Sequence, residues 1–422
     1  MLRNSAFACL RCGTQYPIAH YARDCDVCRV DAPSNLVAVY SSGKGSLGAK
    51  PDGSGPRDLW RYGDVLPVAR ADAVSLGEGG TPLLHLSRIG TTLDLPHLYV
   101  KDEGHNPTWS FKDRLACMAV SAARALGCPT IVSSSSGNAG AAVAAYAAKA
   151  GLRCIIFTVK GASGPMMAQM RAYGAKVVAV TNKADRWTLM SEAVREYNWF
   201  PTSPYFAPAV GSNPFGIEGY RTLAYEMSEA LEWRVPDWIV VPVCYGDALI
   251  GLWRGFADMQ RAGWTQRMPK LVAAEVYGSL HDALRAGGDT LPDMPKTHDT
   301  IATSITATQA TYQSLKVLRD SGGLAVTLSN ADLLRWQRQL AAQEGLFVEA
   351  SSAGALVAIE KLRQNGTLQR TDLVVALNTA SGLKAPYALD DELPLPIEVP
   401  ADLAKASAIL RERGIFTPRS AT

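Results

Sequence analysis

The stretch Asn106-Pro107-Thr108-Trp109-Ser110-Phe111-Lys112-Asp113-Arg114 sets one lysine behind a turn, with an acid–base dipeptide after it. A lysine amine held uncharged can attack a carbonyl or take a proton from carbon. Asn106-Pro107 is a turn signal, because the residue before a proline is pushed away from helix. Ser110 then stands where it can cap a helix that runs through Arg114 to Val120. Lys112 falls in the first turn of that helix, at the positive end of its dipole and beside the Phe111 ring. Both surroundings favour the neutral amine.

Three further segments carry polar, glycine-containing sequence directly after an apolar run. Ser133-Ser134-Ser135-Ser136-Gly137-Asn138-Ala139-Gly140 passes from a strand over 130–133 into a helix over 138–150, an arrangement that makes an anion site of the helix start. Cys244-Tyr245-Gly246-Asp247-Ala248 follows a strand over 238–243, and Thr379 opens a loop to Lys384 after a strand over 373–378. Further strands are expected at 97–100, 154–159, 176–180 and 271–276. Helices are expected over 112–126, 186–197, 216–232, 247–262, 330–344 and 352–364. Two-sided apolar strands alternating with helices predict an α/β fold with parallel sheets, whose ligands bind at the carboxyl ends of the strands.

Together with Lys101-Asp102-Glu103 and Leu76 to Leu83, these motifs resemble the fold type II pyridoxal-phosphate (PLP) enzymes, and the threonine synthases in particular. That family's motif reads approximately N-P-T-G-S-F-K-D-R, with Trp109 here at the glycine. Thr300 to Ile305, Ser321 to Gly323, Gly345 to Ala353 and Thr379 to Lys384 look like later family segments in the same order. The resemblance implies that Lys112 forms the Schiff base with PLP and is the catalytic base. It implies that Asn138 contacts the ring hydroxyl and that Thr379 meets the pyridine nitrogen. Cys244, Tyr245, Gly246, Asp247 and Ala248 would bind the cofactor phosphate, although the family's loop is richer in glycine. Ser135, Ser136, Gly137 and Ala139 would hold the substrate carboxylate, with Trp109 and Ser110 beside the substrate.

The implied reaction is a lyase or replacement reaction on a small-molecule amino acid: O-phosphohomoserine to threonine and phosphate. Trp109 and the segment Thr306-Ala307-Thr308-Gln309, which lacks an expected arginine, leave open β-elimination or β-replacement on a smaller, serine-like amino acid. A non-catalytic PLP-fold or zinc-ribbon binding module is the reading from another class. No HExxH or P-loop motif occurs, and the one GxGxxG spacing, Gly43 to Gly48, lies in the glycine- and serine-rich linker and follows no expected strand. None of the six histidines has a catalytic spacing, and only His105 lies near the lysine motif.

Cys9-x2-Cys12 and Cys25-x2-Cys28 form two knuckles that can supply four thiolates to one structural zinc, four free thiols being the alternative. Cys117, Cys128, Cys154 and Cys244 are scattered and read as small apolar residues. A chain of 422 residues, 47% hydrophobic and 19% charged, predicts a globular protein with more than one domain. A net charge of +3 makes no case for nucleic acid or an anionic membrane, and no apolar run approaches a membrane span.

The expected organisation is a zinc-ribbon-like appendage over 1–40, remote from the chemistry, and a glycine- and serine-rich linker over 41–58. A large PLP domain takes 59–125 with 205–395, a small mobile α/β domain 126–204, and a tail 396–422. A cytoplasmic homodimer is the default expectation.

Overall fold

In the computed structural model, residues 2–41, 47–51, 54–386 and 393–416 are described; parts of the expected linker (42–46 and 52–53), residues 387–392 of the expected large domain and 417–422 of the tail lie outside them. The chain divides into a unit from Met1 to Pro386 and a second from Tyr387 to Thr422. In the second, Leu403–Glu412 is helical and Asp402 caps it through bonds from the N–H groups of Ala404 and Lys405.

Three sheets organise the first unit. β1 (Ala6–Cys9), β2 (Gln15–Tyr16) and β3 (Leu36–Val39) make an antiparallel hairpin sheet in the order β2-β1-β3. The largest sheet contains β4 (Leu83–His85), β5 (Leu98–Asp102), β10 (Trp238–Pro242), β11 (Lys270–Glu275), β12 (Leu324–Thr327) and β13 (Val374–Asn378). Its order is β12-β11-β10-β13-β5-β4, parallel except where β4 meets β5. The third contains β6 (Thr130–Ser134), β7 (Arg153–Val159), β8 (Lys176–Val180) and β9 (Phe200–Pro201), all parallel in the order β8-β7-β6-β9.

All seven strands expected from two-sided apolar runs are present within two residues of the expected bounds. β10 and β13 are buried at every residue, which needs helices on both faces. The strands absent from the sequence reading are two to four residues long, too short for a periodic signal. The expected helix 216–232 is two helices, Pro214–Glu218 and Arg221–Ala230. At the break, the Gly219 Cα lies so close to the Arg114 carbonyl that an added Cβ would come within 2.2 Å of it.

The adjacent strands β10, β13 and β5 all end on one edge of the large sheet. The segments they deliver are 244–248, 379–384 and 103–112, and β6 delivers 135–140.

The hairpin does not stand off from the rest. Phe7 packs edge-on against Phe215 at 4.9 Å, and Tyr21 stacks on Phe200 at 4.7 Å. Its buried aromatic residues need cover that a hairpin this small cannot provide for itself.

Candidate active site

Lys112 is the first residue of the helix Lys112–Ala125, and its Nζ lies 4.5 Å from the Phe111 ring centre. The expected Ser110 cap is not formed. Phe111 holds the cap position without a side-chain bond, while Ser110 pairs with Ala380 in a short antiparallel bridge. Asp113 ties down the turn instead: its carboxylate accepts from the Thr108 N–H at 3.2 Å and the Thr108 hydroxyl at 2.8 Å. Burial pushes the Asp113 carboxyl up to about 7. The bridge is continued by the Phe111 N–H donating to Thr379 O (2.8 Å) and the Ser381 N–H to Trp109 O (3.0 Å). Ser110 therefore serves through its backbone, and its hydroxyl is enclosed with no partner.

Trp109 adopts φ 66°, a left-handed conformation that costs an L-residue about 1–2 kcal/mol. Glycine would adopt it freely, which explains the glycine in the resembled motif. The indole is 44% exposed and does not fill a closed pocket.

In the serine-rich loop, Ser135 Oγ accepts from the Gly137 and Gly140 N–H groups at 3.2 and 3.1 Å, folding the loop on itself. The N–H groups of Asn138 and Ala139 stand in the first turn of the helix Asn138–Ala150, where no intrahelical carbonyl can accept them. Asn138 Nδ2 donates to Glu349 Oε2 at 2.7 Å and Asn138 Oδ1 is buried without a partner, as are the hydroxyls of Ser133 and Ser134. Ser304 donates its hydroxyl to the other oxygen of Glu349, and the Glu349 N–H donates to Ala380 O (3.0 Å).

Thr379 carries the clearest polarity. Ser352 Oγ accepts from the N–H groups of Thr379 and Ala380 at 3.1 and 3.2 Å, and lies 2.8 Å from Thr379 Oγ1. With its lone pairs so used, Ser352 donates to Thr379, and the Thr379 hydrogen is left to point at an acceptor such as a pyridine nitrogen.

The loop after β10 departs from expectation at Asp247. Its carboxylate does not confront an anion; it accepts from the Ser212 N–H and hydroxyl (3.0 and 2.6 Å) and from Gln313 Nε2 (2.7 Å). Gly246 has φ 73°, and a Cβ there would lie 2.0 Å from Ser314 Oγ. Cys244 is raised to about 11 by burial, against which the charges of Lys112 and Lys183 act. Tyr245 is likewise raised by burial and feels the Arg186 guanidinium. Lys183 and Arg186 are thus cations near this loop that no local motif announced. Ala248 is buried in the first helical turn. His105 turns outward, 62% exposed, beside Asp102.

The Lys112 turn, Asn138 and Thr379 therefore meet through one chain of contacts, and the charge of Lys112 is felt at Cys244. Glu349, Ser352 and Ser304 belong to it and were missed, since their partners are 27 to 211 residues away. The enclosed, unpartnered oxygens of Ser110, Ser133, Ser134 and Asn138 fit a polar group such as PLP.

The sulfurs of Cys9, Cys12, Cys25 and Cys28 lie within 4.8 Å of one another. Cys12–Cys25 and Cys9–Cys28 are 3.5 and 3.9 Å apart, against ~3.8 Å for sulfurs about 2.3 Å from a tetrahedral zinc. Gly13 (φ 74°) makes the first knuckle turn. The residues fit zinc. Chelation is expected to release about one zinc per chain and to unfold the hairpin; a metal-free protein by elemental analysis refutes it. The N-terminal segment also touches the support of the loop after β10. Asn35 Nδ2 donates to Gln313 Oε1 at 3.2 Å, and Gln313 in turn holds Tyr245 O and Asp247.

The pyridoxal-phosphate dependent enzyme family model matches residues 74–380, and the chain belongs to that family. The fungal L-serine ammonia-lyase of Rhizomucor miehei has the same fold, with TM-score 0.62 at 24% identity over 76% of this chain and 98% of that one. Maize serine racemase gives TM-score 0.61 at 19% identity over 71% and 88%. Within the family the chain is threonine synthase-like. It is 32% identical to the threonine synthase of Methanocaldococcus jannaschii over 96% of this chain and 99% of that protein. It is also 32% identical to that of Methanosarcina acetivorans over 94% and 96%.

Proposed function

We propose that this PLP-dependent lyase converts O-phosphohomoserine to threonine and phosphate. The carrying observation is the convergence of Lys112, Asn138 and Thr379 on one place, in a chain similar along almost its whole length to threonine synthases.

Bound PLP supplies an electron sink for charge developing at the substrate Cα. Lys112 would hold the cofactor, and its Nζ is the group that would take the Cα proton. Thr379 would offer its hydroxyl to the ring nitrogen, and a hydroxyl there would not force a charged ring. Asn138, held by Glu349, would contact the ring oxygen. Ser135, Ser136, Gly137 and Ala139 receive the substrate carboxylate at the helix start. Residues 244–248 take the cofactor phosphate, with Lys183 and Arg186 adding positive potential. Ser110 and Trp109 border the substrate side chain. The stretch 126–204 closes over the substrate as a smaller domain. The protein works as a homodimer in the cytoplasm; among the described residues, no helix is long and apolar enough to cross a membrane.

The test is threonine and phosphate release from O-phosphohomoserine, with serine as comparator. Turnover of serine alone sinks the substrate assignment.

Two observations favour that second reading, a β-elimination or replacement on a serine-like amino acid. Trp109 occupies the glycine position, and the segment 306–309 carries no cation. Trp109→Gly is accordingly expected to raise kcat/KM for O-phosphohomoserine relative to smaller amino acids. Stability should stay within about 1 kcal/mol, because relief of the left-handed strain offsets the added chain entropy. A parent enzyme already efficient on O-phosphohomoserine, with an unmoved ratio in the variant, would show that the indole does not select substrate.

A further inference from the structure

We infer that Lys384 is a positioning residue that sets the spacing between the Lys112 turn and the loop 135–140. The inference rests on the roles given to those two segments above.

Lys384 closes the short turn Gly382–Lys384 and is fully buried. Its Nζ donates to Thr108 O at 2.8 Å and to Gln169 Oε1. Thr108 belongs to the turn that presents Lys112, and it is the residue that Asp113 grips through both N–H and hydroxyl. Gln169 belongs to a different layer, the helix Pro165–Ala172 between β7 and β8. That helix backs the loop 135–140. A Cβ on Gly140 would lie 2.9 Å from Met170 Cε, and one on Gly137 3.7 Å from Met166 Sδ. One ammonium thus touches both the element that presents the base and the element that supports the carboxylate loop.

The choice of group argues for this use of it. Burial disfavours the charge on Lys384 and pulls it down to about 8, against the opposing pull of Asp113 and Glu349. Both hydrogen-bond partners are neutral oxygens. A methionine would fill the same space without desolvating a charge. What an apolar side chain cannot do is bind oxygens on two separate elements at once. A shift of about 1 Å between a base and its substrate can cost about a hundredfold in rate, so a fixed spacing has a direct catalytic consequence.

The test uses the holoenzyme with Lys384→Met, Gln169→Met and the double variant. Backbone hydrogen exchange in 165–172 is measured without substrate, and KM and kcat with O-phosphohomoserine. Each single variant is expected to speed exchange in that helix about tenfold. Each should raise KM by about tenfold with a smaller change in kcat, since the carboxylate loop is displaced more than the base. The double variant should match the singles, as expected of two ends of one bond. A purely structural role would lower the melting temperature without that KM-selective change, and would overturn the inference. So would unchanged exchange in both singles, or additive effects in the double. If Lys384→Met does not fold, Gln169→Met alone decides by the same two readouts. Faster exchange in both single variants, with a parent enzyme inactive on O-phosphohomoserine, would refute the substrate assignment and leave the positioning role standing.

Discussion

Lys112→Ala is expected to abolish turnover while leaving the fold intact. The side chain starts a helix, where alanine is well tolerated, and its Nζ lies against the Phe111 and Tyr220 rings at 4.5 and 5.9 Å. What would be lost is the group proposed to hold the cofactor and move the Cα proton. Proton transfer by a positioned side chain alone contributes about 10²–10⁴-fold, and loss of covalent attachment adds to it. Borohydride treatment of the parent should fix PLP on Lys112, and the same treatment of the variant should fix none. A variant with retained activity, or a trapped adduct at another lysine, would remove Lys112 from the mechanism.

The second large effect is on stability. Arg114 is fully buried and holds two carboxylates. It meets Glu103 through Nε and Nη2 at 2.7 and 2.8 Å, and Glu226 through Nη1 at 2.6 Å. Lys101 adds a contact to Glu226 at 2.6 Å, so two cations balance two buried acids. Burial alone would raise Glu226, but Arg114 and Lys101 outweigh it and hold the acid at about 2. Arg114→Met keeps the bulk and leaves two carboxylates with one cation. Removing one partner of a buried pair costs about 3–5 kcal/mol, and that loss is expected at neutral pH.

The sign with pH follows. In the parent, Glu226 is depressed below its unfolded value, so its contribution is complete above that value and is lost as pH falls. Without Arg114 the carboxylates are raised, the folded state binds the extra proton, and the variant loses stability as pH rises. The gap between the two proteins should therefore be wider at pH 7.5 than at pH 5 in urea unfolding. A loss under about 1 kcal/mol, or a gap independent of pH, would show that the network is not balanced as described.

Arg114 also shows where sequence reasoning fell short. Asp113-Arg114 reads as an ion-pairing dipeptide, yet the two residues do not pair. They point to opposite sides of the helix, Asp113 back to Thr108 and Arg114 to an acid 112 residues away. The Ser110 cap failed similarly. Ser, Thr, Asn and Asp near a helix start all satisfy a capping rule, and the backbone bridge to Ala380 decided that Ser110 would not be the one used. The absence of a cation in 306–309 was legible, but Lys183 and Arg186, in the turn and helix after β8, act electrostatically on Cys244 and Tyr245.

By itself the sequence determined the parallel α/β class, the main strands and helices, the lysine behind its turn, and the four-cysteine pattern. Those features are local: apolar periodicity, turn chemistry and spacing act over a few residues, and burial on both faces leaves a continuous apolar run. Only the tertiary structure decided that the Asp247 carboxylate is taken up by Ser212 and Gln313, that Glu349 holds Asn138, that Ser352 bonds Thr379, and that Lys384 joins two layers. Each depends on a hydrogen bond between groups 27 to 215 residues apart, and such a bond leaves no trace in the order of residues along the chain. A buried polar group must find a partner, but which partner is set by the way the sheets and helices pack.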